Sequence, residues 1–201
     1  MPNFTRRELM GWGLALFLST GSIAALAAEQ APADPADTMT ITLKTGDVVI
    51  KLLPKVAPKN VAQVEALARS GKYDNVVFHR VIGGFMAQTG DVEFGNAKKG
   101  YDPRKAGTGG SKLPDLPAEF SDIPFKRGVV GMARTSDPNS ANSQFFIMLA
   151  DYPSLDGQYT VIGQVVSGMK NVDAIKKGDE SDNGAVTDPD RMLKVTVGSG
   201  K

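Results

Sequence analysis

The feature that most constrains the fold is a series of short apolar runs with strand periodicity, separated by connections rich in glycine and proline. In residues 39–44, Ile41 and Leu43 alternate with Thr and Lys, and residues 48–52 alternate again after a turn at 45–47. This arrangement is typical of a β-hairpin. Further strands are predicted at 77–81, 85–89, 128–133, 143–149, 159–165 and 192–197. The chain is therefore predicted to be mainly β.

Only two stretches have helical spacing. The first can begin at Pro58, has apolar residues at helical spacing over 61–68, and ends at Gly71. The second covers 169–177 and is ended by Gly178. Many short strands with two helices predict a closed or sandwiched β structure.

The first residues have the features of an export signal. Arg6 and Arg7 precede a long apolar run that ends in Ala25, Leu26 and Ala27, a pattern that signal peptidases cut. The string TRRELM also resembles a twin-arginine signal, although two arginines occur in ordinary secretory signals as well. An uncleaved anchor is the alternative, because the run approaches the ~20 residues that span a bilayer.

The chain is predicted to divide into an export signal (1–27), a flexible linker rich in Ala and Pro (28–38) and one folded domain (39–198). Removal of residues 1–27 leaves equal numbers of acidic and basic side chains. The mature protein is expected in the periplasm or otherwise outside the cytoplasm, without stable membrane association. It is also expected to be a monomer, and the sequence contains neither heptads nor repeats.

Composition excludes several classes of chemistry. The chain has no Cys, one His and a formal net charge of +1. Disulfides and thiolate catalysis are therefore excluded, and a broad basic surface for nucleic acid is not indicated. The single His79 cannot form a His-rich zinc site, and neither a metal nor a cofactor is predicted. A hydrolase would need His79 in its triad, and no GxSxG segment accompanies it.

Three predicted strands each carry a face that mixes polar and large apolar side chains. A solvent face rarely has this composition, whereas an apolar pocket with a few directed donors has it regularly. The alternative is a set of scattered surface apolar residues beside an extended arginine. The faces consist of Phe78 and Arg80 in 77–81, Met86 and Gln88 in 85–89, and Gln144, Phe146 and Met148 in 143–149.

Three sequence blocks resemble the cyclophilin family of peptidyl-prolyl isomerases: FHRVIGGFMAQTGD (78–91), GMARTSDPNSANSQFFIML (131–149) and LDGQYTVIGQV (155–165). The similarity runs from about residue 39 to about residue 197. It implies a closed eight-stranded antiparallel β-barrel capped by two α-helices. It also implies isomerisation of X–Pro bonds in unfolded or extended polypeptides, as an aid to folding outside the cytoplasm. A non-catalytic chaperone or proline-segment binding module is the alternative.

The resemblance also assigns site residues. Arg80 matches the catalytic arginine. Ser154 stands where many eukaryotic members have a Trp that contacts cyclosporin, so weak cyclosporin binding is expected. Arg134 replaces an Asn whose backbone contacts ligands. The expected substrate-binding residues are Phe85, Met86, Phe146 and Leu155 for the proline ring, Gln88 and Gln144 for the peptide backbone, Ala133 in the groove, His79 in the same motif, and Tyr159 in place of a His.

Two other segments have patterns that resemble ligand loops. Residues 107–112, GTGGSK, lack the order of a phosphate-binding loop and predict a flexible surface loop. Residues 179–190 place oxygen atoms at several calcium-loop positions, but Asp190 stands where Glu is preferred and follows Pro189. A solvated acidic turn is predicted there.

Overall fold

The computed structural model describes residues 37–198. The predicted export signal, and all but the last two residues of the predicted linker, lie outside these residues. Within 37–198, none of the helices combines the length and the apolar character needed to cross a membrane.

The described residues form one antiparallel sheet of eight strands in the order β3-β4-β6-β5-β7-β2-β1-β8, together with two α-helices. The mainly β prediction, with eight strands and two helices, is confirmed. The strands are β1 (Thr38–Leu43), β2 (Gly46–Leu52), β3 (Arg80–Ile82), β4 (Met86–Thr89), β5 (Val129–Met132), β6 (Phe145–Met148), β7 (Val161–Ser167) and β8 (Lys194–Val197), and the helices are α1 (Pro58–Arg69) and α2 (Met169–Asp173).

The expected closure of the barrel is not confirmed. The sheet begins at β3 and ends at β8, and the described residues contain no ladder between these two strands. Isolated bridges join Val77 to Arg191 and Arg80 to Ala185 instead. A ladder is interrupted here because Asp188 has a φ of 51° and Pro189 has no backbone N–H to donate.

Both helices begin where the sequence indicates, and the second is shorter than predicted. Helix α1 has Pro58 in its first turn, and Gly71 follows its end with a φ of 67°. The second helix was expected over 169–177 but ends at Asp173. Beyond it the backbone bonds to other segments, because Gly178 donates to the Val81 carbonyl.

The apolar side chains of the sheet divide into two clusters, as the alternation in residues 143–149 predicts. Phe145, Ile147 and Leu149 belong to the main core, which α1 also enters, whereas Phe146 and Met148 belong to a second group. We call that second group the pocket cluster. It consists of Met86, Phe125, Val129, Phe146, Met148 and Val161.

Phe78 corrects one expectation about the strand faces. It was expected to share a face with Arg80, but it is fully buried in the main core. Because β3 begins only at Arg80, strand alternation does not extend back to Phe78.

Candidate active site

Strand register places the polar and aromatic residues of the site in one row across four strands. Arg80 on β3 pairs with Gln88 on β4, Gln88 pairs with Phe146 on β6, and Phe146 pairs with Gly131 on β5. Directly paired residues have side chains on the same face of a sheet. The side chains of Arg80, Gln88 and Phe146 therefore stand beside one another, and Gly131 leaves room for the aromatic ring.

These side chains line a cavity of about 120 Å³. Its walls come from strands β3, β4 and β6, from the chain just after β5, and from the segment before β7. Polar and apolar groups share the lining. The lining residues are Arg80, Phe85, Met86, Gln88, Ala133, Arg134, Phe146, Leu155 and Tyr159.

Three aromatic rings form the apolar base of this pocket. Phe146 stacks on Phe125 with ring centroids 5.8 Å apart, and Tyr159 meets Phe146 edge-on at 5.7 Å. Such offset and edge-on arrangements stabilise rings beyond the contribution of buried area. A small apolar ring entering the pocket would meet a rigid aromatic surface.

The Arg80 guanidinium is half-buried and is held by four hydrogen bonds. Nε donates to the backbone oxygen of Asn183 and Nη2 to its Oδ1, both at 2.9 Å. Nη1 donates to Gln88 Oε1 at 3.3 Å and, more weakly, to Met86 Sδ at 3.9 Å. Burial lowers the pKa of Arg80 from its usual value, although an arginine remains charged in any protein environment. A fixed positive charge thus faces an apolar pocket.

A chain of amide hydrogen bonds connects Gln88 to a distant loop. Gln88 Nε2 donates to Gln144 Oε1 at 3.0 Å, and Gln144 Nε2 donates to the carbonyls of Gly107 and Gly109. The N–H groups of both glycines in turn donate to the buried Asp91 carboxylate. The orientation of the Gln88 amide is therefore set by groups well outside the pocket.

Arg134 covers the other side of the pocket mouth. Its guanidinium carbon lies 4.4 Å from the centroid of the Tyr159 ring, and its nitrogens donate to the carbonyls of Thr135 and Gln158. Only a backbone role was expected at this position, whereas the side chain itself lines the pocket.

The structure brings eight of the ten residues named from the sequence to this pocket and leaves two outside its lining. Gln144 lines a neighbouring cavity of about 650 Å³ with residues 107–111 and reaches the site through Gln88. His79, expected at the substrate, is instead buried beside Gly107, and neither ring nitrogen has a hydrogen-bond partner among the described residues. Among the described residues, neither ring nitrogen therefore bonds to a serine hydroxyl or to a carboxylate, as the histidine of a hydrolase triad would.

Sequence reasoning missed Phe125 at the base of the pocket and two further contributors to the site. The segment 107–109, expected to be a flexible surface loop, is bonded to Asp91 and Gln144. Asn183 lies in the segment expected to be only an acidic turn, and it holds Arg80. The adjacent Asn183 and Gly184 gave a usable signal, since this pair favours the positive φ angles that both adopt.

The chain was also compared with known protein families and sequences. Residues 38–197 match the model of the family described as cyclophilin type peptidyl-prolyl cis-trans isomerase. A probable peptidyl-prolyl cis-trans isomerase of Brucella suis is 60% identical over 180 residues, which cover 90% of each chain. Peptidyl-prolyl cis-trans isomerase-like 3 of Gallus gallus is 41% identical over 143 residues, covering 69% of this chain and 83% of the relative.

Solved structures agree with the sequence comparison. A cyclophilin from Hirschia baltica has a TM-score of 0.68 and 26% identity, covering 82% of this chain and 75% of that one. A Cryptosporidium parvum cyclophilin, solved in the presence of the dipeptide Ala-Pro, has a TM-score of 0.65 and 26% identity, covering 81% and 99%. The chain belongs to the cyclophilin family and is a peptidyl-prolyl cis–trans isomerase.

Proposed function

We propose that this isomerase acts on X–Pro bonds in unfolded or extended polypeptides and that Arg80 is its catalytic residue. The observation that carries the proposal is a guanidinium held at the wall of an aromatic pocket that suits a small apolar ring. The pocket binds the proline ring, while Gln88 and Gln144 hold the peptide backbone on either side of it.

The chemistry requires only that the twisted amide be bound better than either planar form. Amide resonance gives the rotation a barrier of roughly 18–20 kcal/mol, and twisting returns a lone pair to the proline nitrogen. A guanidinium has five N–H groups, and Arg80 uses four of them within the protein, one of these in a weak bond to sulfur. One N–H on Nη2 remains to donate to that nitrogen or to the neighbouring carbonyl oxygen, and the weak bond from Nη1 to the Met86 sulfur can be exchanged for a second.

The size of this effect follows from the charge on the donor. A hydrogen bond from a charged group contributes about 1.5–3 kcal/mol, and each 1.36 kcal/mol of transition-state stabilisation is a factor of ten in rate. Arg80 therefore supplies roughly 10- to 150-fold of the acceleration. The remainder comes from orientation of the peptide in the pocket.

The test compares Arg80→Ala with the wild-type protein in the isomerisation of a short X–Pro peptide. We expect kcat/KM to fall by about 10- to 150-fold, while the peptide dissociation constant changes little. Arg104→Ala is the matched control, because its side chain is 88% exposed and does not line the pocket. A wild-type protein that binds the peptide without accelerating rotation would instead identify a binding module.

We also propose that residues 1–27 direct export and are removed, so that a monomeric enzyme assists folding in the periplasm. The charge and apolar pattern of that segment support this proposal. Trp12 is the only tryptophan of the chain, so cleaved protein lacks tryptophan emission. Fractionation of expressing cells, an intact-mass measurement and light scattering test location, cleavage and oligomeric state.

Closure of the barrel is proposed to occur through short backbone contacts between the β3 edge and the chain before β8. Phe78 N–H donates to the Asp190 carbonyl at 2.8 Å, and Met192 N–H donates to the Val76 carbonyl at 2.9 Å. These bonds support a closed ring without a regular ladder. We expect the backbone amides of Phe78 and Met192 to exchange as slowly as those of β1. Rapid exchange at these two amides would contradict closure of the barrel.

Weak inhibition by cyclosporin is proposed as well. Ser154 offers a short hydroxyl side chain where an indole would provide a large contact area. Titration of the isomerase activity with cyclosporin, for the wild type and for Ser154→Trp, tests this, and stronger inhibition of the variant is expected.

A further inference from the structure

The segment that follows α2 forms an ordered turn beside Arg80. The Asp179 carboxylate accepts hydrogen bonds from the N–H and the hydroxyl of Ser181, and the Asp179 carbonyl accepts from the N–H of Gly184. The turn is also attached to β3, because Val81 N–H donates to the Gly184 carbonyl at 2.8 Å. Its position relative to Arg80 is therefore fixed by backbone bonds in addition to the Arg80 side chain.

Asn183 presents two oxygen atoms to one edge of the guanidinium. Its backbone has a φ of 51°, in the left-handed region that Asn tolerates better than most residues. In this conformation its carbonyl oxygen and its Oδ1 each accept a bond of 2.9 Å from Arg80. The planar guanidinium group of Arg80 is thereby held at Nε and at Nη2.

Asn183 is an uncharged partner for Arg80, whereas the usual partner of a buried arginine is a carboxylate. The same turn carries the acidic side chains of Asp179, Glu180 and Asp182, yet among the described residues no carboxylate lies within ion-pair distance of Arg80. A carboxylate with the same geometry would form a bidentate ion pair and offset the charge. The amide provides the geometry and leaves the charge available to the substrate.

We propose that Asn183 is a positioning residue that aims the Arg80 guanidinium at the substrate and preserves its full charge. This inference rests on the proposed catalytic role of Arg80. Asn183 acts through Arg80 and is not expected to touch the peptide, since it does not line the pocket.

Two substitutions separate geometry from charge. Asn183→Gly removes Oδ1 but keeps the carbonyl and the positive φ, so the turn is retained. Asn183→Asp keeps both acceptors and adds a negative charge. Each is expected to lower kcat by about 5- to 20-fold, as measured by exchange NMR on peptide-saturated enzyme, and to leave the dissociation constant within about two-fold. Glu180→Gln, in the same turn, is the control and retains the wild-type kcat.

A double-mutant cycle with Arg80→Ala assigns the effect to Arg80. In that background Asn183→Gly is expected to cause no further loss. If Asn183 had only a structural role, Asn183→Gly and Asn183→Asp would lower the stability of the protein and leave kcat unchanged. Such a result would overturn the inference. If Arg80→Ala slows the enzyme but Asn183→Gly and Asn183→Asp do not, only this inference fails. If Arg80→Ala has no effect on the rate, the proposed function fails.

Discussion

A methyl group at position 131 tests whether the base of the pocket determines activity. Gly131 faces Phe146 across the β5–β6 pair, and a Cβ added there would lie 2.6 Å from Phe146 Cζ and 2.8 Å from Phe125 Cε1. Carbon atoms pack best at about 3.5–4.0 Å. In Gly131→Ala the Phe146 ring must therefore move by roughly 1 Å. Gly131 has no positive φ, so the conflict concerns space and not backbone strain.

The displacement has two measurable consequences. Overpacking a filled core costs about 1–3 kcal/mol, which corresponds to a fall in Tm of roughly 2–12 °C for a domain of this size. A misplacement of about 1 Å in a site that works by orientation costs up to ~100-fold in rate. We expect Gly131→Ala to remain folded and to lose about 10- to 100-fold in kcat/KM.

Calorimetry and peptide isomerisation on the same preparation provide the assay. Gly83→Ala is the matched control, because it lies in the turn between β3 and β4, has no positive φ, and would meet only Lys177 Cγ at 3.9 Å. The control is expected to retain wild-type activity. A Gly131→Ala protein with wild-type Tm and kcat/KM would refute the assignment of Phe146 as a fixed wall of the pocket.

Three further substitutions concern stability. Tyr73→Phe removes a buried 2.8 Å bond to the Ser143 carbonyl and is expected to lower the unfolding free energy by about 1–3 kcal/mol in urea titrations, with an unchanged m-value. Burial lowers the pKa of His79 to about 4, so the unfolded chain takes up a proton first as the pH falls below 6.5. The unfolding free energy should thus decrease between about pH 6.5 and about pH 4, and His79→Gln should flatten that dependence. Asp173→Asn removes an ion pair of 2.6 Å with Arg127 in which both side chains are more than 40% exposed, and calorimetry should show a loss below about 1 kcal/mol.

Alternation in the sequence was sufficient to predict most of the sheet and the two faces of β6. Gln144, Phe146 and Met148 were expected to face away from the core, and Phe146 and Met148 do lie in the pocket cluster. The hairpin of β1 and β2 was predicted to within two residues at each strand end. These features depend on local periodicity, which is visible in a single sequence.

Features that depend on long-range contacts were not predictable in this way. The 107–109 segment is fixed by Asp91 and Gln144, which are remote in sequence, so its glycines alone suggested only flexibility. The three-residue length of β3 was also missed, because residues 76–79 are apolar enough to continue a strand but bond to the chain near 190 instead. Alternation indicates which residues suit a strand and does not reveal which partner is available.

The short β3 strand explains why the site needs a turn and not another strand beside Arg80. β3 pairs with β4 on one side only, and its other side is occupied by the turn around Gly184, which bonds to Val81. A full strand there would satisfy the same backbone groups but would place alternating side chains beside the pocket mouth. A turn leaves room for an extended peptide and delivers two oxygen atoms of Asn183 to the guanidinium. Lengthening this edge into a regular ladder is thus expected to stabilise the fold and impair the enzyme.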